Sequence, residues 1–309
     1  MECSSITGVY KTRKPQETSL WKLLDGHFFE FEERYDELFQ KKYGFYHPVI
    51  SHVVRKYLEC GDLHKGFARI KCPDCHHEYL LAFSCRGRWF CPSCHNKKVV
   101  RFGHHLKETV LYPVPHRQYV FSIPKILRKF FLYDRKLLGK LSQCAAKTIT
   151  KFFKITLGKK TGLPGMVVAI QSFGDYSRWH PHLHALVADG LFLESGYFYL
   201  MPKVDLHPLR ELFRAHLLKM LKKEGVIDDA FVKMLMGWRH VSGFNVHNEV
   251  RIKPSDEKGI ENLSQYIIRN IFSLEKLKYF ENTNTVLYHS KMTHGKNKKN
   301  FQIFSPLKL

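Results

Sequence analysis

The chain has 309 residues, 44% of them apolar and 14% aromatic, enough to bury one large core or two to three smaller ones and too apolar for a disordered polyelectrolyte. Fifty Lys and Arg face 28 Asp and Glu, a formal charge of +22 that repels itself in a compact fold and asks for a polyanionic partner, nucleic acid or an anionic lipid surface. No apolar run approaches the roughly 20 residues of a membrane-spanning helix, and the opening MECSSITGVYKTRK has no apolar stretch of signal-peptide length, so a cytoplasmic protein is expected.

In chain order, residues 1–58 read as a helical lead, with helical apolar spacing in LWKLLDGHFFEFEERYDELF and HPVISHVVRKYL. Residues 59–112 hold six of the eight cysteines. In a reducing compartment such crowding speaks for metal rather than disulfides. Cys72-Pro-Asp-Cys75 and Cys91-Pro-Ser-Cys94 are two knuckles separated by 15 residues. Their four thiolates can close tetrahedrally on one Zn²⁺ and leave no position open for chemistry. A structural zinc on Cys72, Cys75, Cys91 and Cys94 is therefore expected. Cys60, Cys85, His64, His76, His77 and His95 exceed the need of one ion. A second site, exchange into the first, and a buried thiol or surface imidazole all stay open for them. Lys71, Arg86, Arg88, Lys97, Lys98 and Arg101 flank the knuckles and suit phosphate contact.

Residues 113–309 mix strands with helices. RQYVFSIP, GMVVAIQSF and HPHLHALVADG are short β-rich runs. KILRKFFLYDRKLLGKLSQCAAKTITKFFKI reads as one long helical stretch, LHPLRELFRAHLLKMLKKEG as a basic amphipathic helix stopped by Gly225, and SGFNVHNEVRI as a strand. SDEKGIENLSQYIIRNIF predicts a helix capped by Ser255 or Asp256, with Ile260, Leu263, Ile267 and Ile271 on its buried stripe. The pattern gives an α+β protein: N-terminal helices, a zinc ribbon, then an antiparallel sheet flanked by helices.

On a strand, residues two apart share a face at about 6.5–7 Å. His182 and His184 can thus converge on one cation while Leu183 points into apolar packing, and two imidazoles leave coordination positions open, as catalytic sites do. His180 has the same parity, but Pro181 interrupts the strand, which makes it an accessory candidate. Asp189-Gly190 suits a tight turn. Tyr266 and Asn270 lie four apart, on one helix face away from the apolar stripe. A tyrosine can attack a phosphodiester whose oxygen a divalent cation polarises, and an Asn amide oxygen one turn on can complete the coordination. Trp89, Phe90, Tyr176 and Trp179 sit among basic residues and suit either core packing or stacking on unpaired bases.

Together and in this order, CPDCHHEYLLAFSCRGRWFCPSC, PVPHRQYVFSIPKILR, SFGDYSRWHPHLHALVADG and SGFNVHNEVRIKPSDEKGIENLSQYIIRN resemble the rolling-circle HUH transposases of the insertion-sequence ninety-one type, which carry an N-terminal transposase zinc-binding domain. The resemblance implies an HUH-type sheet in residues 113–309. It implies Mg²⁺ or Mn²⁺ on His182 and His184, with Asn270 as a further ligand; imidazole ligands suit Mn²⁺ better on softness grounds. It also implies that Tyr266 attacks single-stranded DNA at element ends, leaving a 5′-phosphotyrosine and a free 3′-hydroxyl. Three departures stand out. Asn270 occupies the place of a second tyrosine found in some members, and Arg269-Asn270-Ile271 replaces a frequent Arg-Pro-Pro. Relatives also continue beyond FQIFSPLKL, so a C-terminally truncated copy is expected. Two functions remain open: a transposase that nicks and rejoins DNA, and a zinc-dependent DNA-binding remnant that no longer nicks. A plasmid replication or conjugation nickase with the same chemistry is a third.

Overall fold

A computed structural model of the chain describes residues 14–87, 89–238, 243–254, 256–289 and 300–308. The elements begin with helices α1 (Ser19–Glu33), α2 (Tyr35–Leu38), α3 (Gln40–Tyr43) and α4 (Val49–Leu58), strands β1 (Phe67–Lys71) and β2 (Glu78–Ala82), and helix α5 (Pro92–His105). Then come β3 (His116–Ser122), α6 (Lys125–Tyr133), α7 (Lys136–Thr156), β4 (Met166–Phe173), β5 (Trp179–Ala188), β6 (Gly190–Phe192) and β7 (Phe198–Leu200). The chain continues with α8 (His207–Lys223), α9 (Asp229–Met236), β8 (Asn245–His247), β9 (Arg251–Ile252) and α10 (Glu257–Ile267), and closes with β10 (Leu277–Phe280), β11 (Thr285–His289) and β12 (Phe301–Phe304). An α+β protein with a helical lead and an antiparallel sheet flanked by helices is what forms. Among the described residues no helix is long and apolar enough to cross a membrane.

Two compact units divide the chain: Met1–Lys98 with Asn270–Leu309, and Val99–Arg269. The segment after Arg269, expected to belong with the preceding sheet, folds with the N-terminal helices instead. The reason lies in its partners. β10, β11 and β12 form an antiparallel sheet, and Tyr279 on β10 shares a 2.7 Å hydrogen bond with His27 of α1. Lys22 on the same helix pairs with Glu281 at 2.6 Å. Thr18 caps α1 by accepting the Trp21 N–H, and Leu20, Leu23 and Phe28 turn inward.

In the second unit a five-stranded antiparallel sheet runs in the order β4-β5-β3-β8, with β9 also on β3. Strand alternation sorts its two faces. Tyr119, Phe121, Leu183, Ala185, Val187 and Val246 point to one side, into a core filled by Leu127 and Phe131 of α6, Leu141 and Phe153 of α7, and Phe213 and Leu217 of α8. The opposite face carries His182 and His184. In register beside them lie Ser122 and Val120 on β3, Gln171 and Ala169 on β4, and Asn245 and His247 on β8. A second small core covers part of this polar face, with Leu186 and Ile252 from the sheet, Leu263 and Ile267 from α10, and Val99 and Leu106. Gly103 of α5 faces Ser264 of α10, where an added Cβ would make ordinary contact at 3.4 Å.

Three local expectations need correction. The long helical stretch is two helices, α6 and α7, broken where Asp134 accepts the Lys136 N–H. SGFNVHNEVRI is two short strands rather than one; between them the Val250 carbonyl reaches across to the Gln118 N–H at 2.9 Å. Asp189-Gly190 is no hairpin turn, because the chain runs on into β6, which pairs with β7. A Cβ at Gly190 would collide with the Tyr199 carbonyl. Asp189 is buried and accepts from Arg117 Nε and Nη2, both at 3.1 Å, and from Arg251 Nε at 2.7 Å. That carboxylate clamps β5 to β3 and β9.

Candidate active site and metal centre

In the first unit the sulfurs of Cys60, Cys85, Cys91 and Cys94 all lie within 4.8 Å of one another. Cys94 Sγ stands 3.9 Å from Cys60 Sγ and 3.6 Å from Cys85 Sγ. Four thiolates about 2.3 Å from a tetrahedral zinc would have edges of about 3.8 Å, so the spacing fits. Cys60 follows α4, Cys85 follows β2, and Cys91 and Cys94 open α5. Backbone N–H groups of Cys85 and Gly87 point at the sulfurs of Cys60 and Cys85, at 3.5 and 3.4 Å. The thiols of Cys85 and Cys91 hold Cys60 down at about 7, and Cys60, Cys85 and Cys91 together hold Cys94 below its usual range. Cys85 and Cys91 are pushed up, Cys60 being the largest cause in each case. Four thiols crowded in this way cannot all ionise without a cation among them.

Cys72 and Cys75 do not join this cluster, contrary to the sequence-based expectation. They sit on the turn of the β1–β2 hairpin, where the Cys72 N–H donates to the His77 carbonyl at 2.9 Å. The paired strands run from Lys71↔Glu78 down to Phe67↔Ala82. Four strand rises carry the turn about 13 Å from the end where Cys60 and Cys85 lie. The second knuckle is therefore grouped with thiols from the base of the hairpin, and Cys60 and Cys85 are the candidate ligands that motif spacing missed. The signal was available: Cys60 follows a helix end and Cys85 stands six residues before Cys91. Arg88, counted among the flanking bases, lies outside the described residues, as does Ser255.

In the second unit β5 brings His180, His182 and His184 into a row, with ring centroids 5.0 and 4.9 Å apart in succession. His182 and His184 are buried. His182 Nδ1 donates to the His180 carbonyl at 2.7 Å, which leaves its Nε2 lone pair free. His184 Nδ1 lies 3.0 Å from the Gln118 side-chain amide, and Nε2 of both His184 and His180 is buried without a hydrogen-bond partner among the described residues. Burial holds His184 at about 3 and His180 at about 4, with neighbouring charges adding to the effect. His182 is lowered too, chiefly by burial and then by Arg269 and Arg128. Neutral, orphaned imidazole nitrogens of this kind are what a divalent cation takes as ligands.

Tyr266 stands on α10 with its ring edge-on to His184, centroids 5.0 Å apart at 88°, and its side chain is half-exposed. The helix that carries it is capped by Asp256, which accepts the Gly259 N–H at 2.8 Å. Its far end is held by Gln171, whose amide donates to the carbonyls of Tyr266 and Ile267, both at 2.9 Å. A groove of about 410 Å³ opens beside Tyr266, lined among others by Gln118, His247, Asn262 and Val120. Gln118, Gln171 and His247 are site residues that motif reading missed. Their trace in the sequence is that each adjoins an apolar strand residue of opposite parity, Tyr119, Ile170 and Val246.

Asn270 does not share a helix face with Tyr266. α10 ends at Ile267, with Ile268 already at φ −115°, ψ 34°; successive β-branched residues weaken that last turn. Asn270 belongs to the first unit and donates to the Phe90 carbonyl. Phe90 packs between Tyr57 and Phe272, and Trp179 donates its indole N–H to the Arg128 carbonyl at 2.8 Å. Both behave as packing residues. Trp89 stays exposed, with Lys98 over its ring.

Two family models match the chain: a transposase zinc-binding domain over residues 30–123 and a putative transposase over residues 165–308. The transposase for insertion sequence element IS801 of Pseudomonas savastanoi pv. phaseolicola is 33% identical over 146 residues, which is 46% of this chain and 34% of that relative. The chain thus spans about a third of that relative's length. No solved structure matches. With both domains matched in the order the motifs run, the chain belongs to the transposases of the insertion-sequence ninety-one type.

Proposed function

We propose that the chain is a transposase that nicks and rejoins single-stranded DNA at element ends, with Tyr266 as nucleophile and His182 and His184 as ligands of Mg²⁺ or Mn²⁺. The observation that carries this reading is the Tyr266 ring 5.0 Å from the His184 ring on the polar face of the sheet. The transposase matches support the reaction class. When bound, a divalent cation neutralises charge on the scissile phosphate and makes phosphorus more electrophilic.

The chain's own residues supply positioning. The His180 carbonyl holds His182 by its Nδ1. Gln118 holds His184; with its amide oxygen turned to an Nδ1–H, the His184 Nε2 lone pair faces the site. Arg128 and Arg269 are close enough to depress the His182 pKa, and the same charges favour a bound phosphate. The Tyr266 oxygen forms a bond to phosphorus as the 3′-oxygen departs. The phenolic proton passes to solvent and the 3′-oxygen takes one up. One diester replaces another, so a 3′-hydroxyl can reverse the step without an external energy source. The Cys60, Cys85, Cys91 and Cys94 cluster is proposed as a closed, structural zinc site.

Purified protein with Mn²⁺ and single-stranded element ends is expected to form a denaturant-resistant protein–DNA adduct, lost in Tyr266→Phe. His182→Ala should cut adduct formation at least about 100-fold and leave DNA affinity nearly intact. No adduct on either end with either metal contradicts the proposal and leaves a DNA-binding role.

A further inference from the structure

Behind the sheet, on the side away from His182 and His184, α7 and α8 pack together and leave a groove of about 450 Å³. Lys140, Lys147, Lys219 and Lys223 line it against a single acid, Glu224. Glu224 pairs with Lys140. Lys147, Lys219 and Lys223 are exposed and have no ion-pair partner among the described residues. Lys151 stands one turn beyond Lys147 on the same helix. Its charge and that of Lys219 reach His216, whose Nδ1 lies 2.8 Å from the Thr148 hydroxyl. Burial first, then Lys151 and Lys219, holds that imidazole below its ordinary pKa. Uncompensated positive potential is therefore concentrated in the groove itself.

We infer that this groove binds the sugar-phosphate backbone of double-stranded DNA, as a second DNA site separate from the one at Tyr266. Two features select the duplex. Single strands are held by aromatic platforms on which bases stack, and the lining has no Phe, Tyr or Trp. α7 spans 21 residues, about 31 Å at 1.5 Å per residue, so Lys140, Lys147 and Lys151 share one face of a straight rod, which suits a stiff duplex laid along it better than a flexible single strand. Lysines dominate the lining, with Gln143 and His216 as its neutral polar side chains, so the contact rests on phosphates and carries little sequence information. Lysines without partners cost the fold self-repulsion, and a polyanion in the groove offsets it. The inference rests on the reading of the chain as a DNA-processing protein and not on its nicking chemistry.

The test is the full chain carrying K147Q, K219Q and K223Q together, compared with wild type. Binding of a blunt duplex is followed by fluorescence anisotropy from 50 to 200 mM salt. Loss of three phosphate contacts should weaken duplex binding at least about tenfold and make the log–log salt slope shallower by about 2 to 3. Adduct formation on a short single strand should be unchanged, and Tm unchanged or raised. Unaltered duplex affinity and slope overturn the proposal. So does a wild-type chain that binds no duplex, a fall in Tm that gives the lysines to the fold, or a variant that loses single-strand adducts equally. A wild type that binds duplex through these lysines yet forms no adduct supports the groove and sinks only the nicking reading.

Discussion

At His184 the effects of burial and hydrogen bonding meet. The ring is almost fully covered, its Nδ1 is engaged by Gln118, and its Nε2 has no hydrogen-bond partner among the described residues. Gln118→Ala should therefore lower Mn²⁺ affinity by about 10- to 100-fold while leaving the sheet intact, read by metal titration against far-ultraviolet circular dichroism; an unchanged affinity would leave Gln118 without a role at the metal. The depressed values of His180 and His184 also bear on stability. An unfolded His takes up its proton near pH 6.5, whereas these hold out to about 4 and 3. Their contribution is full above about 6.5 and is lost as pH falls through that window toward 3. Without added metal, the urea midpoint should drop between pH 7 and pH 4, and less so in H180Q/H184Q. Asp189 is the other residue on which much depends. D189A leaves the guanidinium of Arg117, and partly that of Arg251, unpaired, and should cost about 3 kcal/mol in urea denaturation.

At the scale of elements, what could be read from the sequence tracks how local the determining interactions are. β3, β4 and β5 were legible because alternation and β-branched content are written into seven to ten consecutive residues. The His182/His184 face was legible for the same reason. The end of α10 was not, since the apolar stripe continues through Ile271 while the backbone leaves the helix at Ile268. The candidate zinc ligands were half legible. The Cys91–Cys94 knuckle is a local turn, but its partners depend on where a hairpin ends, and motif spacing does not encode hairpin length. Single Cys60→Ser or Cys85→Ser chains should lose bound zinc and several °C of Tm, whereas Cys72→Ser/Cys75→Ser should keep one zinc per chain. Elemental analysis decides; zinc lost only in the second variant would restore the ligand set expected from the two knuckles.

For the whole molecule, the charge of +22 pointed to a polyanion but not to where it binds. The fold distributes that charge: Arg128 and Arg269 near the imidazole row, and the lysines of α7 and α8 behind the sheet. The return of the C-terminal strands to the N-terminal helices was not legible, because it rests on side-chain pairs such as His27–Tyr279 that lie 252 residues apart. The central claim concerns one atom, the phenolic oxygen of residue 266, and proteolysis of the adduct followed by mass spectrometry addresses it directly. A nucleotide mass on the peptide that contains Tyr266, dependent on Mn²⁺ and missing from H184A, is the predicted result. A nucleotide on any other tyrosine, or an adduct that forms equally well without metal, would contradict it.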